Sequence, residues 1–80
     1  MKRKDLQAVV AKILEVEPDE LRAEVVLESI EAYDSVTVLS LMIRLDEAAG
    51  IKLEPSDVQR LRTYGDIEAL AARQGIQLTD

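Results

Sequence analysis

Cysteine, histidine, tryptophan and phenylalanine are absent from this chain of 80 residues. Without cysteine the chain has no disulfide, no thiolate metal ligand and no thiol nucleophile. Without histidine it lacks the most common general base near neutral pH. The core must therefore be built from aliphatic side chains, because only 2 tyrosines are present to supplement them. Such a core is thin at this length, so we expect modest stability.

Basic residues and long apolar runs are also scarce. Ten lysines and arginines stand against 16 aspartates and glutamates, which gives a net charge of −6. This balance argues against nucleic acid and anionic membranes as ligands and favours basic protein partners. Residues 1–4 are Met-Lys-Arg-Lys, but no apolar run follows that would predict a signal peptide or a membrane span. We therefore expect a cytoplasmic protein.

The apolar residues that are present recur at helical spacing and predict an all-α fold. The length fits one domain over residues 1–80, which we expect to be a monomer. A first helix is predicted with Asp5 as its N-cap and Pro18 beyond its end. Its apolar stripe consists of Leu6, Val9, Val10, Ile13 and Leu14.

Residues 17–33 show no sustained period and predict a long loop. Pro18-Asp19-Glu20 can open a single helical turn, because proline and acids suit a first turn. A connection of this length is unusual in a compact domain and suggests a functional feature. We expect its apolar residues to lie against the core; these are Leu21, Val25, Val26, Leu27 and Ile30.

The second helix is predicted to begin at Asp34-Ser35 and to run to Ala49. Gly50 then fits the left-handed position after a helix, and Ile51 supplies the accompanying apolar contact. This is the longest helix that the sequence predicts.

Two shorter segments complete the predicted bundle. A short third helix opens at Pro55, with Ser56 and Gln59 at capping-box spacing. A fourth begins at Thr63 with Asp66 three residues later, and Gly75-Ile76 repeats the stop signal. The prediction is a small four-helix bundle of three main helices and one short one, with the long loop between the first two. The inward residues are Val58, Leu61, Ile67, Leu70 and Ala71.

The second helix carries two apolar stripes rather than one. At about 100° per residue, Val36, Leu39 and Ile43 fall nearly opposite the other stripe. One interpretation is that loop residues cover this second stripe; the other is that it contacts partners or cargo. The opposite stripe consists of Val38, Leu41, Met42, Leu45 and Ala49.

Ser35 is the candidate functional residue, since it lies in the first turn of the longest helix and directly after the longest loop. A phosphodiester on its hydroxyl would meet unpaired backbone N–H groups and the positive end of the helix dipole. The simpler interpretation is that Asp34 and Ser35 only cap the helix. Ser29, Ser40 and Ser56 fit a modification site less well, by their positions in the loop, in mid-helix and at a cap.

Asp34-Ser35-Val36, continuing as TVLSLMIRLDEAAGIKL, resembles the Asp-Ser-Leu signature and following helix of acyl and peptidyl carrier proteins. The stretch LESIEAYDSV is similar to carriers with an aromatic residue before Asp-Ser, here Tyr33. The order of helices, loop and stop signals also matches over nearly the whole chain. The sequence thus resembles the acyl carrier protein family.

This resemblance implies a function. Ser35, preceded by the signature residue Asp34, would be esterified to 4′-phosphopantetheine by a phosphopantetheinyl transferase that uses coenzyme A. The arm would carry an acyl or aminoacyl group as a thioester between acyl-loading and acyl-transferring enzymes, such as ligases or synthases. The family's usual pathways are fatty-acid, polyketide and specialised biosynthesis. Partner contacts are expected at Val36, Leu39, Ile43 and Glu47.

The chain departs from the family pattern on the same helix. Thr37, Ser40 and Ala48 stand where fatty-acid carriers often have acids, and Arg44 adds a positive charge. Val36 replaces the usual leucine. These departures bear on the identity of the partners and favour a specialised carrier.

Other classes of protein fit the sequence less well. An independent serine enzyme would need a base, and neither histidine nor a Ser-x-x-Lys pattern at Ser35 supplies one. The acids show no metal-loop spacing, so no metal site is expected. A DNA-binding domain conflicts with the acidic balance. The strongest alternative is a passive helical interaction module that uses Val36, Leu39 and Ile43 and leaves Ser35 as a cap.

Overall fold

The chain, described over residues 1–80 by a computed structural model, is all-helical. Its helices are α1 (Arg3–Leu14), α2 (Ser35–Ala49), α3 (Pro55–Arg60) and α4 (Tyr64–Arg73). Single 3₁₀ turns at Pro18–Glu20 and Leu27–Ser29 lie in the connection between α1 and α2. The predicted three main helices, short helix and long loop are confirmed, including the isolated turn at Pro18.

The core consists of hydrophobic residues without a charged one, and the hydroxyl of Tyr64 is a polar atom buried within it. α1 contacts α2 most extensively, and the predicted inner stripe of α2 supplies Leu41 and Leu45. Tyr64 is 1% exposed and is among the largest side chains of the core. The other buried residues are Leu6, Val10, Ala11, Leu14, Leu21, Leu27, Ile51, Leu53, Ile67, Leu70 and Ala71.

The start of α1 differs from the prediction that Asp5 is its N-cap. Lys2 occupies the cap position, without a side-chain cap, and Asp5 lies within the first turn. Lys2 is held there by a parallel bridge to Thr79, in which the Arg3 amide donates to the Thr79 carbonyl at 2.7 Å. The Thr79 amide in turn donates to the Met1 carbonyl at 3.0 Å. Pairing between the two chain ends therefore sets where the helix begins.

The prediction that Ser56 caps α3 is also wrong. Glu54 is the cap, and the capping box joins it to Asp57, whose carboxylate accepts the Glu54 amide at 2.9 Å. Pro55 takes the first helical position, where its missing N–H costs nothing. At Thr63, by contrast, the predicted capping box with Asp66 is present.

The long loop is fastened at its middle to the start of α4. The Leu27 amide donates to the Arg62 carbonyl at 2.8 Å, and the Tyr64 amide donates to the Val25 carbonyl at 3.0 Å. A third bond, 3.0 Å long, runs from the Gly65 amide to the Ala23 carbonyl. We call residues 23–27, held in this way, the loop strap.

Three of the loop's five apolar residues lie against the core, as expected, but Val25 and Val26 do not. Leu21 and Leu27 are fully buried, and Ile30 packs against the core. Val26 pairs with Thr63 in an isolated antiparallel bridge and remains 48% exposed. Successive side chains of an extended segment point to opposite sides, so burying Leu27 turns Val26 to solvent.

α2 ends as predicted. Gly50 adopts a left-handed conformation with φ of 69°, and its amide donates to the Asp46 carbonyl at 2.9 Å. The Ile51 amide donates to the Leu45 carbonyl at 3.1 Å, and the Ile51 side chain is fully buried. The longest helix is thus fixed at its C-terminal end by both backbone and core contacts.

Candidate functional site

The candidate site is the N-terminal end of α2, where Ser35 is the first helical residue. Asp34 precedes it in an extended conformation and acts as the N-cap. The Thr37 amide donates to Asp34 Oδ1 at 2.8 Å. This bond satisfies one of the free amides of the first turn and fixes the direction in which the chain enters the helix.

Thr37 makes a second contact at this end of the helix, which the sequence analysis missed. Its hydroxyl donates to the Ala32 carbonyl at 2.7 Å. The loop is therefore tied to the first turn of α2 on both sides of Tyr33. The spacing Asp-x-x-Thr in residues 34–37 was the available signal, because a threonine there can both donate its amide to the cap and reach back to the loop.

The charge on Asp34 is stabilised by these local contacts. Its carboxylate is fully exposed, yet the pKa lies below the ordinary value of 3.8, chiefly because the Thr37 amide donates to it. The neighbouring Tyr33 is half-buried, and burial followed by the charge of Glu28 raises its pKa above 10.0. Asp34 is therefore a fixed negative charge beside Ser35 at neutral pH.

The Ser35 side chain is exposed and its hydroxyl makes no hydrogen bond within the protein. The capping function that one interpretation assigned to the Asp34-Ser35 pair is thus performed by Asp34 alone. The positive end of the α2 dipole and the unpaired amides of the first turn lie next to the Ser35 hydroxyl. A phosphodiester attached there would be favoured by the helix dipole and the free amides, opposed by the Asp34 carboxylate, and exposed to solvent as the Ser35 side chain is.

The other serines occupy different environments. Ser29 Oγ donates to the Val26 carbonyl at 2.6 Å, and Ser40 is half-buried in the middle of α2. Ser56 is exposed, but it lies inside the first turn of the six-residue helix α3. Ser35 alone combines an exposed, unbonded hydroxyl with the start of a long helix.

The second apolar stripe of α2 is open to solvent. Val36 is 73% exposed, Leu39 56% and Ile43 54%. The loop therefore does not cover them, and its Ile30 packs against the core instead. We call these three residues the α2 ridge. Of the two interpretations of this stripe, burial under the loop is therefore wrong.

The α2 ridge begins directly beside Ser35 and runs toward the C-terminal half of the helix. Glu47 follows Ile43 by one turn and is exposed, as expected for a residue that contacts partners. Four large apolar or acidic side chains thus share one open face of the helix that begins at Ser35.

Comparison with known protein families identifies the family of the chain. The family described as a phosphopantetheine attachment site matches residues 4–71. The chain belongs to this family. It is a carrier domain, and its cofactor is a covalently attached 4′-phosphopantetheine. Such a domain interacts with a phosphopantetheinyl transferase and with biosynthetic enzymes.

The phosphopantetheine carrier fold is also found in a solved structure. The chain is similar to the solution NMR structure of a holo acyl carrier protein from Geobacter metallireducens, with a TM-score of 0.75 and 24% sequence identity. The match covers 91% of this chain and 85% of that one. The likeness confirms the acyl-carrier fold. No curated protein matches the sequence of this carrier domain. The helices of the domain are too short and too polar to be membrane spans.

Proposed function

We propose that Ser35 is the attachment point of the 4′-phosphopantetheine arm and that the chain delivers acyl groups to other enzymes. The observation that supports this most directly is the exposed hydroxyl of Ser35, free of hydrogen bonds, at the start of α2 in a phosphopantetheine carrier domain. Asp34 supports the site by holding the first turn in place.

The attachment reaction needs coenzyme A as its only co-substrate. The Ser35 oxygen attacks the phosphorus that bears the pantetheine, and a P–O bond forms. The pyrophosphate bond of coenzyme A breaks and adenosine 3′,5′-bisphosphate leaves with the electron pair. The transferase is proposed to accept the serine proton.

The arm supplies a terminal thiol that holds a carboxylic acid cargo as a thioester. The chain itself sets where the arm begins, because α2 fixes the attachment point. The α2 ridge provides an apolar surface on which a partner enzyme can dock. The proposed function is delivery and not catalysis. Tethering raises the effective concentration of the cargo at the active site of each partner enzyme. Val36, Leu39, Ile43 and Glu47 are the residues proposed to contact the partners.

The pathway is proposed to be a dedicated one, within fatty-acid, polyketide or other specialised biosynthesis. The support is Arg44, an exposed cation on the same helix as the ridge, where a carrier of fatty-acid synthesis is expected to present acids. An aminoacyl or peptidyl cargo would use the same arm and the same serine. We propose that the carrier acts in the cytoplasm as a monomer.

Intact-mass spectrometry tests the attachment site. The purified chain is incubated with coenzyme A and a broad-specificity phosphopantetheinyl transferase, and we expect a gain of one phosphopantetheine. Ser35→Ala should abolish the gain. Ser56→Ala is the matched control, since it removes a hydroxyl from the first turn of another helix, and this variant should be modified as fast as the wild type.

A passive interaction module is the alternative outcome of the same experiment. If the folded, initially unmodified chain gains no mass with several transferases, the carrier proposal is wrong for Ser35. A gain that persists in Ser35→Ala would place the arm on another residue. Circular dichroism of each variant shows that the fold is retained in either case.

A further inference from the structure

Charge is distributed very unevenly along the chain. Eight of the 16 acidic residues and only one of the 10 basic residues lie between Glu15 and Asp34. That segment has a net charge of −7, so the rest of the chain is nearly neutral. Asp34 and Glu31 place the end of this acidic segment next to Ser35, at the N-terminal end of the ridge.

The other end of the ridge has cations beside it. Arg44 directly follows Ile43, is exposed, and takes part in none of the four ion pairs of the structure. Lys12 of α1 is also exposed and unpaired. The two side chains line the same open groove between α1 and α2, together with Val9, Glu47 and Ala48.

The groove therefore holds two positive side chains and only one negative side chain. Glu47 lines it as well, but it forms no ion pair with either cation. Lys12 and Arg44 would be stabilised by one anionic group placed between them, and a guanidinium is suited to bind a carboxylate through two hydrogen bonds. Ten residues separate Asp34 from Arg44, which places the negative and positive ends of the face about 15 Å apart along the helix.

We propose that Arg44, with Lys12, is a specificity determinant of the docking face. It selects a partner enzyme that presents a carboxylate over the groove, and it repels enzymes whose docking surface is basic throughout. This inference rests on the proposed function, because it assumes that the partner docks on the α2 ridge. The partner must then be basic opposite Glu31 and Asp34 and acidic opposite Arg44.

Charges at the rim of an interface act mainly on the association rate and on the choice of partner. A basic surface brought against Arg44 meets like-charge repulsion, and this repulsion weakens as salt increases. Replacing Arg44 by an acid should therefore improve the reaction with a basic partner at low ionic strength. The same replacement far from the ridge should change only the net charge.

The experiment uses an acyltransferase that has a uniformly basic carrier-docking face and that loads malonyl from malonyl-coenzyme A onto the arm. Chains modified at Ser35 are compared at low salt. We expect Arg44→Glu to raise kcat/KM about tenfold and Arg44→Ala to raise it by less. Arg73→Glu is the matched control, because Arg73 is also exposed and unpaired but lines a separate groove between α3 and α4.

A variant acyltransferase with one reversed charge in its docking face allows a double-mutant cycle between enzyme and carrier. When one basic residue of its docking face is changed to glutamate, kcat/KM should rise with the wild-type carrier and fall with the Arg44→Glu carrier. The inference would be overturned if Arg44→Glu and Arg73→Glu changed kcat/KM equally. It would also be overturned if no charge reversal in the docking face of the enzyme showed coupling to Arg44→Glu.

Two further measurements distinguish this inference from its alternatives. The mass spectra show whether Ser35 is modified; a chain that takes up no arm contradicts the proposed function, whereas a modified chain that is insensitive to Arg44→Glu contradicts only the specificity role. Sedimentation of the free carrier tests a second copy as the occupant. A dimer that dissociates on Arg44→Glu would show that the groove binds the acidic segment of another copy, and would overturn the inference.

Discussion

The carboxylate of Asp34 and the amide of Thr37 are joined by a hydrogen bond of 2.8 Å that closes the first turn of α2. Ser35 lies inside this closed turn without taking part in it. The residue proposed for modification is therefore held in position by its neighbours, and its own hydroxyl is left free.

Removing the Asp34 carboxylate should destabilise the domain without removing Ser35. We expect Asp34→Ala to lower the free energy of unfolding measurably, because it removes the N-cap of α2. Asp34→Asn should retain most of the stability, since asparagine caps nearly as well. Urea unfolding measures both, with Ser56→Ala as a near-neutral control because Ser56 makes no cap. An Asp34→Ala variant as stable as the wild type would contradict the capping role.

Asp66 should make the stability depend on pH in the acid range. Its carboxylate accepts the amides of Thr63 and Arg62 at 3.0 and 2.8 Å, and these contacts lower its pKa below 3.8. A pKa lowered by folding means that the stabilisation is complete above 3.8 and is lost as the pH falls through the folded-state pKa.

The measurement compares the wild type with Asp66→Asn across that range. The difference in unfolding free energy should be largest near neutral pH and should shrink on acidification. Asp34 is present in both proteins and titrates in both, so its contribution cancels. A difference that stays constant from pH 7 down to about pH 2 would show that the carboxylate charge is not what stabilises this capping box.

Gly65 should not tolerate a side chain, because α4 and the loop strap approach each other closely there. A Cβ at this position would lie 2.9 Å from the carbonyl oxygen of Ala23 and 3.2 Å from its Cβ. The better helix propensity of alanine, worth about 1 kcal/mol, would oppose this clash. Since the nearest atom belongs to the backbone, we expect Gly65→Ala to destabilise by about 1–3 kcal/mol in net terms.

Amide hydrogen exchange locates the effect of Gly65→Ala. The amides of Leu27 and Tyr64, which bond across the strap, should lose protection more than the amides in the middle of α2. Ala72→Ser, an exposed change on the same helix, should leave the strap unaffected. Uniform loss of protection would contradict a local origin of the defect.

The hydroxyl of Tyr64 should be dispensable for stability. It is buried and forms no hydrogen bond of standard geometry, although the Glu68 carboxylate lies nearby; burial, followed by the charge of Glu68, raises its pKa above 10.0. An unsatisfied buried hydroxyl has lost its water without gaining a partner. Tyr64→Phe keeps the ring in the core and should be at least as stable as the wild type in thermal unfolding. A loss of more than about 1 kcal/mol would show that the hydroxyl is bonded after all.

Local signals in the sequence were sufficient to predict the main helices. Asp34, Gly50 and the Thr63–Asp66 pair each act within one turn of their own position, so their effects follow from spacing alone. The periodicity of α2 likewise predicted two stripes. It could not show whether the loop covers Val36, Leu39 and Ile43, because that depends on where distant residues pack.

The errors share a physical cause, which is competition from contacts that local spacing does not describe. Lys2 displaces Asp5 as the cap of α1 because the N-terminus pairs with Thr79 at the other end of the chain. Glu54 displaces Ser56 because Asp57 completes a reciprocal box with it. For Ser35, geometry and family membership together support the modification, which the mass measurement tests.

The pairing of the two chain ends has a consequence for the order of folding. Arg3 and Asp80 are ion-paired although they lie 77 positions apart, so this contact closes a loop that includes nearly the whole chain. Closing so large a loop is entropically costly until the helices between the ends have packed. We therefore expect the ends to join after the transition state for folding and to separate before the core opens, so that changes at Thr79 alter the unfolding rate and leave the refolding rate unchanged.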